Sequence, residues 1–552
     1  MDSRPPCDLA GQLDPRMSQE ASDVVRDPSE VALAARKRDV SFYLVLVFAV
    51  GPIWSIVPLS WAYVVYNLWS GRVWFLSWHE AAAFGAAVCE AFFSIYYYQL
   101  SRYVSGPSPL PAGNLVELQA AFSRVLQAGL ASLPEDGFDE ETLEDERPGS
   151  PAEALTKLEY SDPRAIDFRN CLRIWFGKAP WSQIHTQEVY AWLYWSIFNE
   201  ALPPLDSLSP AQRAALDDAL NMIEMRTGST IPRGSNPDIK PILLTLDPVN
   251  VSFRPLVWYL FVTAANYSIR KWCQYGWGAQ FGRYKNMEYM VRVPEGWSPA
   301  TGPHPIVFLH GLGLGLTQYK LFLTHLHETF PDRPLLVPLQ PQISQDIFHP
   351  RFLKPMGRHE MADTLAELLK SLNWVRDVSN EDSDSEKETS DEERSKGITL
   401  LSHSNGSYVH GWMLKSHPEM VYRSCFVDPV TFCSWEGDVC YNFLYRPCSN
   451  GLELIMRYFV GTELGVANLL QRHFDWSSNS LWYEEIPNAR DPARTMFLLG
   501  GKDAIVNAER VKRYLRSHGI RKGLWYDPKG RHGQALLAGG EGHAEILRWL
   551  RQ

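Results

Sequence analysis

Cysteine is scarce in this sequence and is not arranged in the pairs that bind metals or build disulfide frameworks. The 552 residues include eight cysteines, and no two of them form a C-x-x-C pair. Such scattered thiols are typical of a reducing compartment, in which they stay free and buried. The last three, Cys433, Cys440 and Cys448, lie close enough in sequence to leave a disulfide or a metal site open there. The spacing of the other cysteines favours neither a disulfide nor a metal site, and we expect no bound metal ion.

Basic clusters are missing as well. The net charge is −10, and no lysine- or arginine-rich patch is interleaved with aromatic residues, which argues against a nucleic acid partner. Charged residues make up only 21% of the chain and hydrophobic residues 45%, the balance of a globular protein. The length exceeds that of one ordinary domain, so we expect two or more structural units.

Charge is absent altogether from residues 40 to 71. A membrane span needs about 20 apolar residues, so this stretch is long enough to cross a bilayer, and its prolines are tolerated better there than in a soluble helix. A second apolar stretch, residues 73–100, carries one histidine and two glutamates and predicts a second span or an amphipathic surface helix. We interpret residues 40–104 as a membrane-anchoring region with one or two spans, the alternative for the first stretch being a buried core helix.

Three consecutive basic residues, Arg36, Lys37 and Arg38, precede the first apolar stretch. Positive residues beside a span favour the cytosolic side, so we expect the N-terminus in the cytosol. If both stretches cross the membrane, the remainder of the chain is also cytosolic; if only the first crosses, the remainder lies on the opposite side. We expect an integral membrane protein whose larger, C-terminal part is cytosolic.

The regions around the apolar stretches differ in composition. Residues 1–39 are polar and contain several prolines, and we interpret them as a disordered tail. Spaced prolines open residues 105–150 and an acidic run closes them, which is typical of a linker. Residues 151–280 are rich in Trp and Tyr and predict a helical region, with one helix starting at Ser209 and Pro210. We expect its apolar faces to pack on the C-terminal core, the alternatives being that they cover a site in that core or touch the membrane.

An acidic insertion at residues 375–396 has almost no apolar content and predicts a solvated, disordered loop. Within it, Ser383, Ser385 and Ser390 each precede acidic residues, the setting that acidophilic kinases prefer. Residues 379–393 are therefore a candidate kinase target, with plain disorder as the alternative.

Short β-rich runs alternate with helical segments in the second half of the chain. A mostly parallel sheet with helices on both faces requires this pattern. We therefore predict an α/β fold over residues 281–552, with an antiparallel leading strand. The predicted strands comprise residues 287–293, 306–309, 335–337, 397–401, 422–427, 496–499 and 524–526.

The stretch Ser402-His403-Ser404-Asn405-Gly406 joins a predicted strand to a predicted helix, residues 408–416. A serine on a sharp strand-to-helix turn is a nucleophile elbow, whose strained backbone requires small residues two before and two after the serine. Gly406 meets this requirement, and Ser402, although small, departs from the usual G-x-S-x-G pattern. Ser404 is accordingly the candidate nucleophile.

A glycine-rich turn, His310-Gly311-Leu312-Gly313, follows the buried strand at residues 306–309. Its glycines let the backbone approach a substrate oxygen, and the amides of Leu312 and Asn405 are the candidate oxyanion hole, each such donor being worth roughly 3 kcal/mol. The alternative, a phosphate-binding G-x-G-x-x-G turn, fails because residue 316 is leucine. We expect no nucleotide and no other cofactor.

The candidate acid and base follow later strands. Asp503 comes after a late predicted strand and is the preferred acid, and Asp428, after the strand that follows the elbow helix, is the alternative acid. His532, in the loop after the last predicted strand, is the candidate base, and His543, at the start of the terminal helix, is its weaker competitor. The three residues follow one another along the chain in the order serine, aspartate, histidine. His532 takes the proton of Ser404, and Asp503 orients the imidazole ring.

These landmarks resemble the α/β-hydrolase superfamily, in the branch with an H-G-x-G oxyanion turn and a helical cap. The similarity covers residues 287–552, about half of the chain. It implies a serine hydrolase that forms an acyl-enzyme on Ser404, with a cap at residues 431–490. The many large apolar residues of that segment line a hydrophobic pocket or form the cap's own core. Together with the membrane anchor, the resemblance implies an esterase or lipase-like enzyme for a hydrophobic ester or lipid.

Two functions of different classes stay open. The first is the membrane-anchored serine hydrolase, whose site is shared by thioesterases, peptidases and carbon–carbon bond hydrolases. The second is a non-catalytic, membrane-tethered scaffold or lipid-binding regulator with a hydrolase fold. A serine at the elbow excludes the dehalogenases and epoxide hydrolases that use an aspartate nucleophile.

Overall fold

The computed structural model describes residues 27–127, 157–375 and 397–552. Its strands are β1 Gln280–Tyr284, β2 Met287–Arg292, β3 Ile306–Leu309, β4 Leu335–Leu339, β5 Ile398–His403, β6 Val421–Val427, β7 Thr495–Gly500 and β8 Leu524–Asp527. They form one sheet in the order β1-β2-β4-β3-β5-β6-β7-β8. Strand β2 runs antiparallel to β1 and β4, and the other neighbours are parallel. The predicted α/β class is confirmed, whereas β1 was not predicted.

The helices surround this sheet and precede it in the chain. In chain order they are α1 Val40–Val45, α2 Gly51–Trp69, α3 Trp78–Val104, α4 Leu115–Gln127, α5 Pro163–Leu172, α6 Thr186–Phe198, α7 Pro210–Thr227, α8 Leu256–Trp277, α9 Leu316–Thr329, α10 Arg358–Ser371, α11 Gly406–Ser416, α12 Asp438–Cys440, α13 Gly451–Met456, α14 Leu464–Arg472, α15 Trp476–Asn479, α16 Ala508–Ser517 and α17 Glu541–Arg551. Three further segments, Leu46–Val50, Tyr441–Tyr445 and Arg457–Gly461, are π-helical.

The sheet is buried on both faces, which explains why its strands read as nearly continuous apolar runs. Successive residues of a strand point to opposite faces. In β3, Ile306 and Phe308 belong to a core that includes residues of α9 and α17. Val307 and Leu309 belong to the opposite core, which includes residues of α10, α11 and α16. The carboxyl ends of the parallel strands are therefore held rigidly between two helical layers.

The N-terminal helices form an antiparallel hairpin. Two helical stretches, Val40–Trp69 and Trp78–Val104, are long and apolar enough to cross a membrane, with mean hydropathies of 2.2 and 1.2. Only 11% of the most apolar window of the first stretch is buried inside the protein, which argues against a core helix. The Trp61 indole donates to Ser94 Oγ at 3.0 Å and joins the two helices.

The C-terminal end of this hairpin is anchored in the rest of the protein. Phe93 and Tyr97 of α3 lie with their ring centroids 5.7 and 6.3 Å from that of Tyr259 in α8. At the other end of the hairpin, Trp69 and Trp78 are largely exposed. The hairpin thus packs at its base and presents an aromatic tip.

Parts of the predicted tail and of the predicted linker make contacts with the rest of the protein. In the predicted tail, Asp27 pairs with the buried Arg169 at 2.6 Å. In the predicted linker, α4 buries Leu118 and Leu126 in an amphipathic pattern that the surrounding polar residues obscure. The predictions for residues 1–26, 128–156 and 376–396, including the acidic loop and its candidate kinase target, lie outside the described residues.

The helical region and the cap pack on each other beside the strand ends. Helix α7 starts with Ser209 as its cap and Pro210 in its first turn, as predicted. The Trp175 indole donates to the carbonyl of Trp435 at 2.8 Å and joins the helical region to the cap. The segment between β6 and β7 contains α12 to α15, so the predicted cap residues are largely helical. The cysteines of the described chain are free thiols.

Candidate active site

The elbow serine sits at the end of β5 in a strained backbone conformation. Ser404 has φ of 52°, in the left-handed region that non-glycine residues rarely adopt. A Cβ at Gly406 would lie 2.1 Å from the carbonyl oxygen of Leu309, so only glycine fits there. The strain and the small flanking residue that the elbow motif predicts are both present.

The departure from the usual motif at Ser402 has a structural reason. Ser402 is fully buried, and its Oγ atom lies 2.9 Å from Nδ1 of His410 in α11. The other ring nitrogen of His410 lies 3.1 Å from Ser424 Oγ in β6, and its ring stacks on Phe426. Burial lowers the pKa of His410 to about 3, so the ring is neutral and bridges two hydroxyl groups. Sequence reasoning missed this contact, whose only local signal is a histidine eight residues after the serine.

The three residues predicted to act together lie in hydrogen-bond contact. Ser404 Oγ lies 2.8 Å from His532 Nε2. On the other side of the ring, His532 Nδ1 lies 2.6 Å from Asp503 Oδ2. The second oxygen of Asp503 accepts hydrogen bonds from the amides of Ile505 at 2.7 Å and Val506 at 3.0 Å. The carboxylate is therefore fixed by the backbone and directed at the imidazole.

The electrostatics of His532 follow from its two acidic neighbours. Burial alone would lower the pKa of His532, but the charge and hydrogen bond of Asp503, together with the charge of Asp428, raise it to about 9. The imidazolium is thus the form that this site stabilises. A base that becomes positively charged during a reaction benefits from that stabilisation.

Asp428, the alternative acid, does not bond to the histidine. Its Oδ1 accepts from the amide of Gly500 at 3.1 Å and its Oδ2 from the amide of Gly533 at 2.7 Å. Burial raises the pKa of this carboxyl group, and the charge of His532 opposes that shift. Asp428 therefore ties the end of β7 to the loop that carries His532, and of the two carboxylates it is Asp503 that bonds to the ring.

The candidate oxyanion turn lies against the elbow. A Cβ at Gly311 would be 3.0 Å from Cβ of Ser404, so the turn needs a glycine for this close approach. Within the described residues, the amides of Leu312 and Asn405 donate to no protein acceptor, and both residues line the cavity at Ser404. The amide of Gly313 is engaged instead by the carbonyl of Ile343 at 3.0 Å.

Two residues that sequence reasoning missed hold this turn in place. The Tyr319 hydroxyl of α9 accepts from the amide of Gly311 at 2.8 Å and lies 2.7 Å from Nδ1 of His403. Burial keeps the pKa of His403 well below its ordinary value, so the ring is neutral. His310 is also buried, with its Nδ1 3.0 Å from the carbonyl of Gly311. The turn and the elbow are thus linked through one tyrosine.

An apolar cavity of about 420 Å³ opens at Ser404. Cap residues Phe443, Leu444, Leu470 and Phe474 contribute to its lining. Other large cap residues form the cap's own core, as Trp435 and Trp482 do by stacking at a centroid distance of 4.2 Å. Some apolar residues of the cap therefore line the cavity, and others form the cap's own core.

No family model and no curated protein matches the chain. Several solved structures resemble it over about half its length. For an α/β-hydrolase enzyme from a Medee basin deep-sea metagenome library, the identity is 15% over 50% of this chain and 98% of that chain, with a TM-score of 0.35. A thermophilic esterase from Thermogutta terrifontis is 17% identical over 48% of this chain and 93% of that chain, with a TM-score of 0.31. Naproxen esterase from Bacillus subtilis is 13% identical over 52% of this chain and 98% of that chain, with a TM-score of 0.32. Matches this remote carry no argument about function.

The chain's own geometry defines the class of protein. The strand order, the antiparallel β2 and the serine at the turn from β5 to α11 are those of the α/β-hydrolase fold. Residues 280–552 form an α/β-hydrolase domain.

Proposed function

We propose that this protein is a membrane-anchored serine hydrolase that cleaves a hydrophobic carboxylic ester through an acyl-enzyme on Ser404. The observation that carries the proposal is the hydrogen-bonded chain from Ser404 through His532 to Asp503. The Ser404 end of this chain lines an apolar cavity. A nucleophile, a base in contact with it and a group that orients the base are the parts that acyl transfer requires.

The geometry supports a two-step reaction. His532 Nε2 accepts the Ser404 proton as Oγ attacks the ester carbonyl carbon, and the carbonyl electron pair moves onto oxygen. The amides of Leu312 and Asn405 stabilise that oxyanion. Collapse of the intermediate expels the alkoxide, which takes the proton from His532. Water then attacks the acyl-enzyme by the same route, releasing the carboxylic acid and returning the proton to Ser404.

The cavity supports an acyl chain as the part of the substrate that binds beside the nucleophile. Its Phe, Leu and Val lining suits an apolar chain better than a peptide. We therefore favour an ester or lipid among the reactions that share such a site.

The contacts of the N-terminal segment favour two membrane crossings. Arg36 precedes the first apolar helix and binds Glu453 of the cap at 2.7 Å. This ion pair supports a topology in which the segment before the hairpin lies on the same side of the membrane as the hydrolase domain. Since the basic residues before the first helix favour the cytosol, both would be cytosolic.

Labelling with a fluorophosphonate probe tests the proposal on the full-length protein. We expect the wild type to be labelled and to hydrolyse a short p-nitrophenyl ester, and the Ser404→Ala variant to do neither. Equal labelling of both proteins, or labelling of neither, would refute the enzyme and favour the non-catalytic scaffold.

A further inference from the structure

A second cavity, of about 280 Å³, adjoins the apolar one and differs from it in charge. Phe443 and Ile505 line both cavities, so they form the partition between them. Ile505 also donates its amide to Asp503, which makes the partition part of the loop that carries the candidate acid. The remaining lining includes Arg446 and Arg457.

Two guanidinium groups, those of Arg36 and Arg446, bind one carboxylate at the second cavity. Arg36 binds both oxygens of Glu453, at 2.7 and 3.0 Å. The amide of Ser449 donates to the same carboxylate at 2.8 Å. Arg446 also donates to Glu453, at 3.4 Å. The nearby Asp39, which caps α1, is a second carboxylate, so three arginines, Arg36, Arg446 and Arg457, face two acidic groups.

Backbone carbonyl groups make most of the hydrogen bonds of the two lining arginines. Arg457 donates to the carbonyl oxygens of Leu444 at 2.6 Å and Arg446 at 3.0 Å, and Arg446 donates to that of Ala504 at 2.9 Å. In the described part of the chain, Nε and Nη1 of Arg446 have no protein acceptor. Burial lowers the pKa of both arginines, and the negative charge of Glu453 opposes that shift. A planar guanidinium with open donors matches a phosphate group.

The outer wall of this cavity lies beside the beginning of the first apolar helix. Helix α13 supplies Glu453 and Met456 to the wall and packs on α1. At the contact, the amide of Gly451 donates to Ser41 Oγ at 2.8 Å, and a Cβ there would lie 2.7 Å from the carbonyl oxygen of Ser41. The start of a membrane helix lies at the level of the lipid headgroups. In the proposed topology, the positive cavity therefore lies at the level of the lipid phosphates.

We propose that this second cavity binds the phosphate headgroup of a single-chain lipid whose acyl ester reaches Ser404. The proposal rests on the proposed function: the acyl chain fills the apolar cavity, and the headgroup lies beyond Phe443 and Ile505. The substrate class is then an anionic monoacyl phospholipid rather than an uncharged glyceride.

Binding to the full-length Ser404→Ala protein in detergent tests this without requiring turnover. The probes are a fluorescent monoacylglycerol phosphate and the matched uncharged monoacylglycerol, with glycerol phosphate as a competitor. We expect the phosphate-bearing lipid to bind about 10-fold to 100-fold more tightly, the range for one or two charge-assisted hydrogen bonds. Glycerol phosphate at the same concentration should displace neither lipid; efficient displacement would identify a free phosphate ester as the ligand and overturn the lipid assignment.

Two further variants locate the headgroup. Arg446→Gln should abolish the preference for the phosphate-bearing lipid, and Met456→Glu, which adds a carboxylate to the cavity, should do the same if Arg446→Gln does not fold. Arg213→Gln removes an exposed arginine from α7 and should leave the preference unchanged. Equal binding of both lipids, or a preference that survives the cavity variants, would overturn the proposal. If the preference holds but the wild type cleaves no ester, the binding site stands and the catalytic proposal falls.

Discussion

Ser402 and His410 are joined inside the elbow by a hydrogen bond of 2.9 Å between Oγ and Nδ1. The residue that departs from the G-x-S-x-G pattern is therefore a structural partner of the elbow helix. Its hydroxyl satisfies a buried, neutral imidazole that would otherwise lack one of its two partners.

Replacing Ser402 should affect stability more than activity. We expect Ser402→Ala to destabilise the protein by about 1–3 kcal/mol, because it leaves His410 Nδ1 buried without a partner. A lower midpoint of thermal unfolding, with labelling by a fluorophosphonate retained, checks this. The exposed Ser268 of α8 offers a control, and equal midpoints for Ser402→Ala and Ser268→Ala would contradict the role of the contact.

The two aspartates near His532 should behave differently. Asp503→Asn is expected to lower kcat about 10⁴-fold, since the amide no longer stabilises the imidazolium or its tautomer. Within the described chain, Asp428 accepts hydrogen bonds only from backbone amides, so Asp428→Asn should lower kcat much less. Steady-state hydrolysis of a soluble ester by both variants distinguishes them, and the reverse ranking would make Asp428 the catalytic acid.

The pH dependence of activity should respond to Asp428 as well. Only neutral His532 can accept the serine proton, so kcat/KM should rise with pH through the raised pKa of this histidine, about 9. Removing the negative charge of Asp428 removes one cause of that shift. In Asp428→Asn the rise should therefore occur at lower pH than in the wild type; a profile that stays in place or moves to higher pH would show that Asp428 does not influence the base.

Tyr319 should act on the oxyanion turn without touching the substrate. Tyr319→Phe keeps the ring but removes the acceptor for the Gly311 amide and the contact with His403. We expect kcat to fall by up to about 10²-fold with little change in KM, because misplacing the turn weakens transition-state binding. A rise in KM at constant kcat would indicate a role in ground-state binding instead.

The proposed topology predicts where both termini lie. Epitope tags at the N-terminus and after Gln552 should both be accessible when only the plasma membrane of cells is permeabilised. Accessibility of one tag alone would mean that a single helix crosses the membrane, in conflict with the ion pair between Arg36 and Glu453.

Sequence patterns predicted most of the sheet and the proximity of the three candidate residues. Ser404, Asp503 and His532 each follow a strand, and the carboxyl ends of parallel strands meet at one edge, so local motifs suffice to place them near each other. Their catalytic roles remain predictions. The contacts of Tyr319 and His410 join different elements, and nothing near either residue in the chain indicates its partner.

The edge strand β1 and the helix α4 were missed for a different reason. Strand β1 is half exposed and polar at Gln280 and Arg283, so its alternation is weak. Helix α4 lies within a stretch whose overall composition is polar, and only its apolar residues at helical spacing reveal it. In both cases burial against neighbouring elements decides the structure, and composition averages do not show it.

The packing of α13 on α1 has a consequence for biosynthesis. Arg36 and Glu453 are separated by 417 positions in the chain. In the proposed topology, the hairpin leaves the ribosome and enters the bilayer long before the cap residues are translated. In that topology the hydrolase domain would complete its folding by docking onto an anchor that is already inserted, and a version lacking residues 1–104 would lose a surface against which the cap is built.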